Sequence, residues 1–272
     1  MPQIIPIDDP LDPRIAVFRD VRERDVVGRQ NGFIAEGEVV LRVLARSRHY
    51  KTRALLIAQK RVERLAPLIA GFAPDVPIYV AGQAVMDAVA GFAIHRGILA
   101  FGERGSQPTA DDLLAAAPPS AVVLVLIGIA NHDNIGGVFR NAAAFGAGAV
   151  LIDETCCDPL YRKAIRVSVG AALTVPFARL PPGEDAVDIL TRHGFEAFAL
   201  SPNGETRLAD LTPPARAAVL LGAEGPGLPP EILKRARTVT IPMAGGFDSL
   251  NVATTSGIVL HHLASGGEQG RR

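Results

Sequence analysis

The most constraining feature of the chain is a run of ten aliphatic or small residues, "AVVLVLIGIA", from Ala121 to Ala130. It is too short to cross a membrane, which takes about 18 or more apolar residues. Because apolar side chains occupy both faces, the run predicts a strand buried on both sides, as in a parallel sheet covered by helices. The stretch "NHDNIGGVFRNAAAFG" follows it and predicts a polar, glycine-containing turn that leads into a helix.

Further strands and helices alternate after this run, which predicts an α/β fold with a mostly parallel sheet. Strands are expected at 122–129, 149–152, 174–177, 195–200, 217–221 and 238–241, and helices at 135–145, 160–169, 184–193, 230–236 and 251–263. The first hundred residues alternate helix-like and strand-like segments on a smaller scale, with helices expected at 36–47, 60–72 and 83–92 and strands at 53–59, 76–82 and 97–103. A stretch rich in Gly, Ser, Pro and Ala lies between the halves. We therefore predict a small α/β domain over 1–104, a linker over 105–120 and a second domain over 121–272.

Composition narrows the functional class. The chain has 272 residues, 48 % of them hydrophobic, and a formal net charge of zero, which is typical of a soluble globular protein. Its two cysteines, Cys156 and Cys157, are adjacent, a spacing that suits neither a disulfide nor a zinc site. His261 and His262 would point about 100° apart on a helix, which is poor metal-ligand geometry. The N-terminus lacks a signal-peptide pattern. We expect a cytoplasmic protein without metal or membrane span.

Positive charge is concentrated in one segment. Eight Lys or Arg residues lie between Arg42 and Arg64, against a single acid, Glu63. Such a segment predicts either a phosphate-binding surface or a solvated helix-and-loop face, and charge alone leaves both open.

Ligands of parallel sheets bind beyond the carboxyl ends of the strands, so the informative loops follow Ile129, Leu221 and Ile241. The first loop places Asn134 where it is expected to cap the helix. Arg140 lies inside that helix, where it either pairs with an acid or binds a phosphate bidentately.

The other two loops are rich in glycine. "LLGAEGPGLPPEI" contains three glycines that permit close backbone approach, together with Glu224, which is either a solvent-exposed turn acid or part of a site. "TIPMAGGFDSLNVATTSGIVLHHL" places Ser249 and Asn251 before an Ala- and Val-rich helix, where both residue types can act as N-caps.

Taken in order, these loops resemble the SpoU (TrmH) family of RNA ribose 2′-O-methyltransferases of the SPOUT superfamily. The matching stretches are "NIGGVFRNAAAFGA" from Asn134, "LLGAEGPGL" from Leu220 and "IPMAGGFDSLNVA" from Ile241, with a further similarity in "DPLYRKAIRVSVGA" from Asp158. The resemblance covers roughly 122–264. The first half, with "FIAEGEVVLRVL", is more loosely similar to the L30e-like substrate-binding domain that many members carry.

The resemblance implies a cofactor, a substrate and an assembly. Members bind S-adenosylmethionine and methylate a ribose 2′-hydroxyl in ribosomal or transfer RNA, and we expect ribosomal RNA here. They act as homodimers, and their C-terminal chain forms a deep trefoil knot in which the cofactor is bound. Carried over to this sequence, the cofactor contacts are Leu221, Gly222, Gly227, Ile241, Met243, Leu250 and Asn251.

The resemblance also suggests catalytic roles. Arginine stays protonated and is a poor base, so we hypothesise that Arg140 holds the RNA phosphate beside the target hydroxyl and lowers the pKa of that hydroxyl. A role as base remains open if a phosphate takes the proton onward. Ser249 and Asn251 would orient the ribose, while Asn134 and Glu224 would support Arg140 and the loops. The expected RNA contacts are Arg46, Arg48, Lys51, Arg53, Arg162, Lys163 and Arg166.

Two departures and two alternatives remain. Asp133 stands where members often have Gly or Pro, and Ala253 where many have Ser. A nicotinamide-dependent enzyme would need G-x-G-x-x-G, which "NIGGVFRN" lacks. The other alternative is an RNA-binding protein that kept this fold but lost catalysis. The presence of four residues argues against it: Arg140, Glu224, Ser249 and Asn251.

Overall fold

The structure is a computed structural model that describes residues 2–19, 31–91, 93–245, 247 and 249–269. Its strands are Ile4–Ile7 (β1), Gly32–Glu36 (β2), Lys51–Ala58 (β3), Ile78–Ala81 (β4), Ile98–Glu103 (β5), Ala121–Leu126 (β6), Ala149–Ile152 (β7), Phe177–Arg179 (β8), Glu196–Leu200 (β9), Thr206–Arg207 (β10), Arg216–Leu221 (β11) and Arg237–Thr240 (β12). Its α-helices are Glu38–Ala45 (α1), Val62–Ile69 (α2), Gln83–Ala90 (α3), Ala110–Ala115 (α4), His132–Ala144 (α5), Arg162–Val167 (α6), Ala186–Arg192 (α7), Pro230–Arg235 (α8) and Val252–Gln269 (α9).

The chain divides into two compact units whose limits differ from the predicted domains. The first comprises Met1–Ser106 and Pro159–Thr174, and the second comprises Gln107–Asp158 and Val175–Arg272. The segment Pro159–Thr174 had been predicted within the second domain. It belongs to the first unit because the Arg162 guanidinium pairs with Glu36 on β2. Helix α4, in the predicted linker, instead buries Ala110 and Leu114 in the core of the second unit.

The first unit is built on a five-stranded mixed sheet in the order β1-β4-β3-β5-β2. The strands β1, β4 and β3 are parallel, whereas β5 runs antiparallel to both β3 and β2. Strands β1 and β2 were not expected from the sequence, and Glu36 had been assigned to a helix. Gly37 takes φ +95°, a left-handed conformation that ends β2 and lets α1 begin at the next residue.

The second unit is built on a seven-stranded sheet in the order β10-β12-β9-β11-β6-β7-β8. Every pairing in it is parallel, which confirms the predicted sheet type. The side chains of 123–126 on β6 are fully buried, as the unbroken aliphatic run required. Because the strands are parallel, the loops after β6, β9, β11 and β12 leave the same edge of the sheet.

Helices α5 and α9 pack closely against each other in the second unit. A Cβ on Gly137 would lie 2.6 Å from the Cβ of Ala253, so a small residue at 253 suits the contact. The Asn141 Nδ2 donates to the carbonyl oxygen of Ala253 at 2.6 Å and to the Ser256 hydroxyl at 3.0 Å. These bonds fix the first turn of α9, which follows directly on Asn251. Across the described part of the chain, no helix is both long and apolar enough to cross a membrane.

Candidate active site

A cavity of about 950 Å³ lies at the carboxyl edge of the parallel sheet, among the loops after β9, β11 and β12. Its lining includes six of the seven predicted cofactor contacts: Leu221, Gly222, Gly227, Ile241, Met243 and Leu250. The seventh, Asn251, does not line the cavity. Its side chain donates a hydrogen bond to Glu224, which does line the cavity. Ser249 lines the cavity as well.

Gly222 allows the chain after β11 to fold back on itself at one wall of the cavity. A Cβ at this position would lie 2.2 Å from the carbonyl carbon of Gly227 and 2.4 Å from the amide nitrogen of Leu228. The Gly227 N–H donates to the carbonyl oxygen of Ala223 at 3.0 Å and closes the turn. Only glycine fits at 222 without displacing backbone atoms.

The loop after β9 forms a wall that sequence reasoning missed. Ser201, Pro202 and Asn203 line the cavity, although the sequence around them carries no recognised motif. The Thr240 hydroxyl donates to the Pro202 carbonyl oxygen at 2.9 Å and holds this loop against the end of β12. The strand order identifies this loop as part of the site: β9 lies between β11 and β12, so the loop after β9 leaves the sheet between the other two loops.

A polar cluster joins the three loops that the sequence identified. The Asn134 Nδ2 donates to Glu224 Oε1 at 2.9 Å. The Asn251 Nδ2 donates to Asn134 Oδ1 at 2.8 Å and to Glu224 Oε1 at 3.1 Å. Residues from three distant parts of the chain therefore meet in one hydrogen-bonded triangle, which we call the amide–carboxylate cluster.

The start of α5 explains why Asn134 is available to this cluster. The helix begins at His132, and its N-cap is Asn131, whose side chain accepts a hydrogen bond from the Asp133 N–H at 2.8 Å. The prediction that Asn134 caps the helix is therefore wrong. Asn134 lies in the first turn with its side chain directed into the cluster, and only 5 % of it is exposed.

Asn251 uses its whole amide group within the protein. Its Nδ2 serves Asn134 and Glu224, while its Oδ1 accepts from the N–H groups of Ala253 at 2.9 Å and Thr254 at 3.3 Å. Asn251 thus acts as the N-cap of α9, as the sequence suggested. No amide hydrogen is left to orient a ribose, so its expected role as a ribose-orienting group is replaced by that of a clamp between loops.

Arg140 lies on α5, about two turns after the helix begins, and it is exposed. Asn134 and Glu224 bind each other and Asn251, so they support the loops as expected, but among the described residues neither forms a hydrogen bond or ion pair with Arg140. Arg140 does not line the cavity either. Within the described residues its guanidinium has neither a hydrogen bond nor an ion pair, so the alternative of a structural acid partner receives no support.

Glu224 is the only ionisable side chain among the described residues that line the cavity. The rest of the lining is apolar or carries neutral polar groups such as the Ser201, Ser249 and Thr255 hydroxyls. One carboxylate in such a cavity favours a ligand that carries positive charge, because its two amide donors are neutral and the described lining contains no cation.

The loop between β6 and α5 is held by Asp153 and Cys156. Asp153 Oδ2 accepts from the Gly128 N–H at 3.1 Å, and Oδ1 accepts from the Cys156 N–H at 2.8 Å. The Cys156 Sγ accepts from the Ile129 N–H at 3.2 Å.

Burial, followed by the neighbouring Asp153 carboxylate, raises the pKa of Cys156 to about 12. Cys157 has a pKa raised to about 11, again mainly by burial. Cys156 is thus a structural thiol.

These pKa values make the cysteines resistant to alkylation in the folded protein. At pH 8 a thiol with a pKa near 12 is thiolate roughly 10³-fold less often than an ordinary cysteine, whose pKa is about 8.5. We expect iodoacetamide to modify Cys156 slowly in the native protein and rapidly in urea, as followed by peptide mass spectrometry. Native-state alkylation at the rate of a free cysteine would contradict the placement of Cys156.

The strength of the amide–carboxylate cluster can be measured by a double-mutant cycle. Asn134→Ala and Glu224→Ala each remove one partner of the same hydrogen bond. We expect a coupling free energy of about 0.5–3 kcal/mol in urea unfolding. Asn134→Ala combined with Asn203→Ala, which share no bond, serves as the additive control. Additivity in both cycles would mean that the hydrogen bond between Asn134 and Glu224 contributes no coupling free energy.

The predicted RNA-binding residues all lie in the first unit, and they differ in their surroundings. Arg46, Arg48, Lys51 and Lys163 are exposed. Arg53 is paired with Glu103, with 2.6 Å between Nε and Oε2. Arg162 and Arg166 both approach Glu36, at 2.9 Å and 3.7 Å, and Glu36 is only 5 % exposed. The Arg162 charge is therefore largely committed to neutralising a buried carboxylate.

Comparison with known proteins connects this geometry to a family. Residues 121–261 match the model of the SpoU rRNA Methylase family. The chain belongs to the SpoU rRNA methylase family. This membership places it among RNA methyltransferases and decides against the nicotinamide-dependent alternative.

Two kinds of relative support the SpoU assignment. An uncharacterized tRNA/rRNA methyltransferase from Mycobacterium bovis is 38 % identical over 274 residues, covering 95 % of this chain and 93 % of that protein. The AdoMet-bound rRNA methyltransferase from Sinorhizobium meliloti superimposes with a TM-score of 0.80 at 22 % identity, covering 96 % of this chain and 98 % of that one. A structure described as an RNA 2′-O ribose methyltransferase gives a TM-score of 0.78 at 24 % identity, covering 97 % and 100 %. These structures share the fold.

Proposed function

We propose that this protein transfers a methyl group from S-adenosylmethionine to a ribose 2′-hydroxyl of RNA, with ribosomal RNA as the first candidate substrate. The observation that carries the proposal is the junction at Glu224, which lines the cavity and also anchors the cluster with Asn134 and Asn251. The name of the Mycobacterium bovis relative and the description of the Sinorhizobium meliloti structure point the same way.

The residues around the cavity suit this cofactor. A volume of about 950 Å³ is within the usual range of small-molecule sites, roughly 300–1,000 Å³. Leu221, Ile241 and Leu250 offer apolar surface for a flat ring, and the glycine turn at Gly222 lets backbone atoms approach it. When bound, S-adenosylmethionine supplies an electrophilic methyl group on a sulfonium. The Glu224 carboxylate complements that positive charge.

Arg140 and Ser249 are the groups we assign to the substrate. The exposed Arg140 guanidinium would bind the phosphate next to the target nucleotide through two parallel hydrogen bonds. Its positive charge then favours the ionised form of the neighbouring 2′-hydroxyl, which eases loss of the proton during attack. The Ser249 hydroxyl lines the cavity and would orient the ribose. Asn134, Glu224 and Asn251 hold the three loops in register, which keeps the reacting atoms aligned.

We propose that the first unit, as an L30e-like domain, supplies the general affinity for RNA. Arg46, Arg48, Lys51 and Lys163 are exposed, and Arg53 and Arg166 are partly committed to acids. Arg162 would contribute least, because Glu36 already neutralises it. Such contacts position the RNA backbone without reading its sequence.

Two further features of the family are part of the proposal. The first is a deep trefoil knot in the C-terminal chain, within which the cofactor would be bound. The second is a homodimer, for which the exposed Ile258 on α9 offers apolar surface. Size-exclusion chromatography with light scattering should then give a mass of twice the 28.6-kDa chain.

The proposed function can be tested directly. The purified protein is incubated with methyl-labelled S-adenosylmethionine and with ribosomal or transfer RNA from a strain in which the gene is deleted. We expect label in ribosomal RNA, and a single 2′-O-methylated nucleotide when the RNA is digested and mapped by mass spectrometry. Methylation of a base, or of transfer RNA alone, would overturn the corresponding part of the proposal.

The alternative is an RNA-binding protein of this fold without catalysis. It predicts RNA binding in a filter assay with no transfer of label and no rise in melting temperature on addition of S-adenosylmethionine. The cavity favours the enzyme, because it has the size of a small-molecule site and is lined by a carboxylate that complements a cationic cofactor.

A further inference from the structure

Phe247 is exposed to a degree unlike that of the other phenylalanines. Its side chain is 76 % exposed, whereas every other described phenylalanine is buried or half-buried. Burying such a side chain would contribute about 1.5–3 kcal/mol of stability. Single exposed apolar residues are common, so the exposure gains meaning only from the position of the residue.

That position is the rim of the cavity. Phe247 lies on the loop from β12 to α9, and it lines the cavity together with Met243 and Ser249 of the same loop. The loop turns at Gly245, which has φ +70°, and the Phe247 N–H donates to the Ala244 carbonyl oxygen at 3.5 Å. Four residues later comes Asn251, so the ring and the amide–carboxylate cluster are separated by at most about 14 Å of chain.

We propose that the Phe247 ring is the stacking surface for the base of the nucleotide being methylated, and that this nucleotide is unpaired in the substrate RNA. The proposal rests on the proposed function. An aromatic face stacks on any base, and proteins that hold single-stranded RNA use such faces. Phe247 lines the rim of the cavity, yet 76 % of its surface is exposed, so most of the ring is available to a partner that arrives from solution.

An unpaired target follows from the geometry of stacking. In an A-form duplex the 2′-hydroxyl is accessible from the shallow minor groove, but both faces of each base are covered by its neighbours. A base can stack on Phe247 only after leaving that arrangement. The substrate class is therefore RNA with an unstacked nucleotide in a loop, bulge or single strand.

Kinetics of Phe247 variants test the stacking role. We expect Phe247→Ala to lower kcat/KM for RNA and to weaken RNA binding by about 5- to 150-fold, the effect of removing one base–aromatic stack. Phe247→Tyr should stay within about threefold of wild type, and Phe247→Leu should resemble Phe247→Ala. Leu11→Ala is the matched control, since Leu11 is 72 % exposed but lies in the other unit. The S-adenosylmethionine Kd should remain unchanged in all variants.

A spectroscopic test is available because the chain contains no tryptophan. Phe247→Trp introduces a single indole whose fluorescence should be quenched on addition of substrate ribosomal RNA and not on addition of S-adenosylmethionine. Quenching by S-adenosylmethionine alone would assign the ring to the cofactor and overturn the proposal. A change in oligomeric state of Phe247→Ala would assign it to a subunit interface and overturn the proposal as well.

The unpaired target is tested by annealing. Once the methylated nucleotide is mapped, a transcript carrying that region is assayed alone and after annealing to a complementary RNA strand. We expect annealing to lower the rate at least about tenfold; equal rates would overturn the inference. If wild-type protein methylates no RNA, the proposed function fails and takes this inference with it. If wild type is active and Phe247→Ala is unchanged, only the inference fails.

Discussion

Arg140→Ala is expected to lower kcat for RNA methylation by about 10²- to 10³-fold while S-adenosylmethionine still binds. The expected size is that of losing one preorganised group that stabilises charge in a transition state. Cofactor binding should survive because Arg140 does not line the cavity. Folding should survive because the side chain is exposed and makes no bond within the described residues. Two measurements on the same preparation test this prediction: the rate of methyl transfer should fall, and the calorimetric Kd for S-adenosylmethionine should stay unchanged.

Matched variants separate the fork geometry of Arg140 from its charge. Arg140→Lys keeps the charge but loses the two parallel hydrogen bonds, so it should recover only part of the activity. Arg207→Ala removes an exposed arginine of the same unit and should leave the rate unchanged. Joint loss of methyl transfer and cofactor binding in Arg140→Ala would contradict the assigned role.

Salt dependence distinguishes a phosphate clamp from a base. If Arg140 binds one phosphate, its removal should reduce the slope of log affinity against log salt by about 0.7–0.9, the value for one released counterion. If Arg140 acts only as a base, RNA affinity and its slope should match wild type while kcat alone falls. The exposed, unbonded guanidinium favours the first result.

The parallel sheet could be predicted from the sequence because its central strands are continuous apolar runs. Both faces of β6, β7 and β11 are covered, so their apolar runs are unbroken, and the expected 149–152 coincides with Ala149–Ile152. The prediction at 174–177 was displaced to Phe177–Arg179, because Ala171–Leu173 forms a 3-10 turn at that point. The hydrophobic pattern therefore predicted which segments are strands. It did not predict where each strand begins, because that depends on turns that leave no hydrophobic pattern.

The loops of the candidate site could be located from the sequence, but the hydrogen bonds that join them could not. Asn131, Asp133 and Asn134 are all competent helix caps, and local pattern does not choose among them. The structure chooses Asn131, because Asn134 is bound to Glu224, 90 residues further along the chain. Likewise, the expected interaction of Glu224 with Arg140 rests only on their opposite charges. Pairings across such distances follow from packing, which single-sequence reasoning does not provide.

Gly222→Ala is expected to destroy the cofactor site with only moderate damage to the fold. The added methyl group would lie 2.2 Å from the Gly227 carbonyl carbon and 2.4 Å from the Leu228 nitrogen, so backbone atoms must move. Overpacking of this kind usually costs about 1–3 kcal/mol. For a chain of this size, that lowers the melting temperature by roughly 2–12 °C. The displaced turn also carries Glu224, so the cavity wall and its carboxylate move with it.

The loss of S-adenosylmethionine binding by Gly222→Ala should therefore exceed what its stability change explains. At a temperature where the variant is fully folded, calorimetry should detect binding at least about 100-fold weaker than in wild type. Gly82→Ala is the matched control: an added Cβ there meets no atom within 4 Å, and φ is −66°. That variant should change the stability by less than about 1 kcal/mol, because the restriction of the unfolded chain by alanine is offset by its poorer fit at the N-cap of α3. If both variants bind the cofactor equally well, the close approach at Gly222 does not shape the cofactor site.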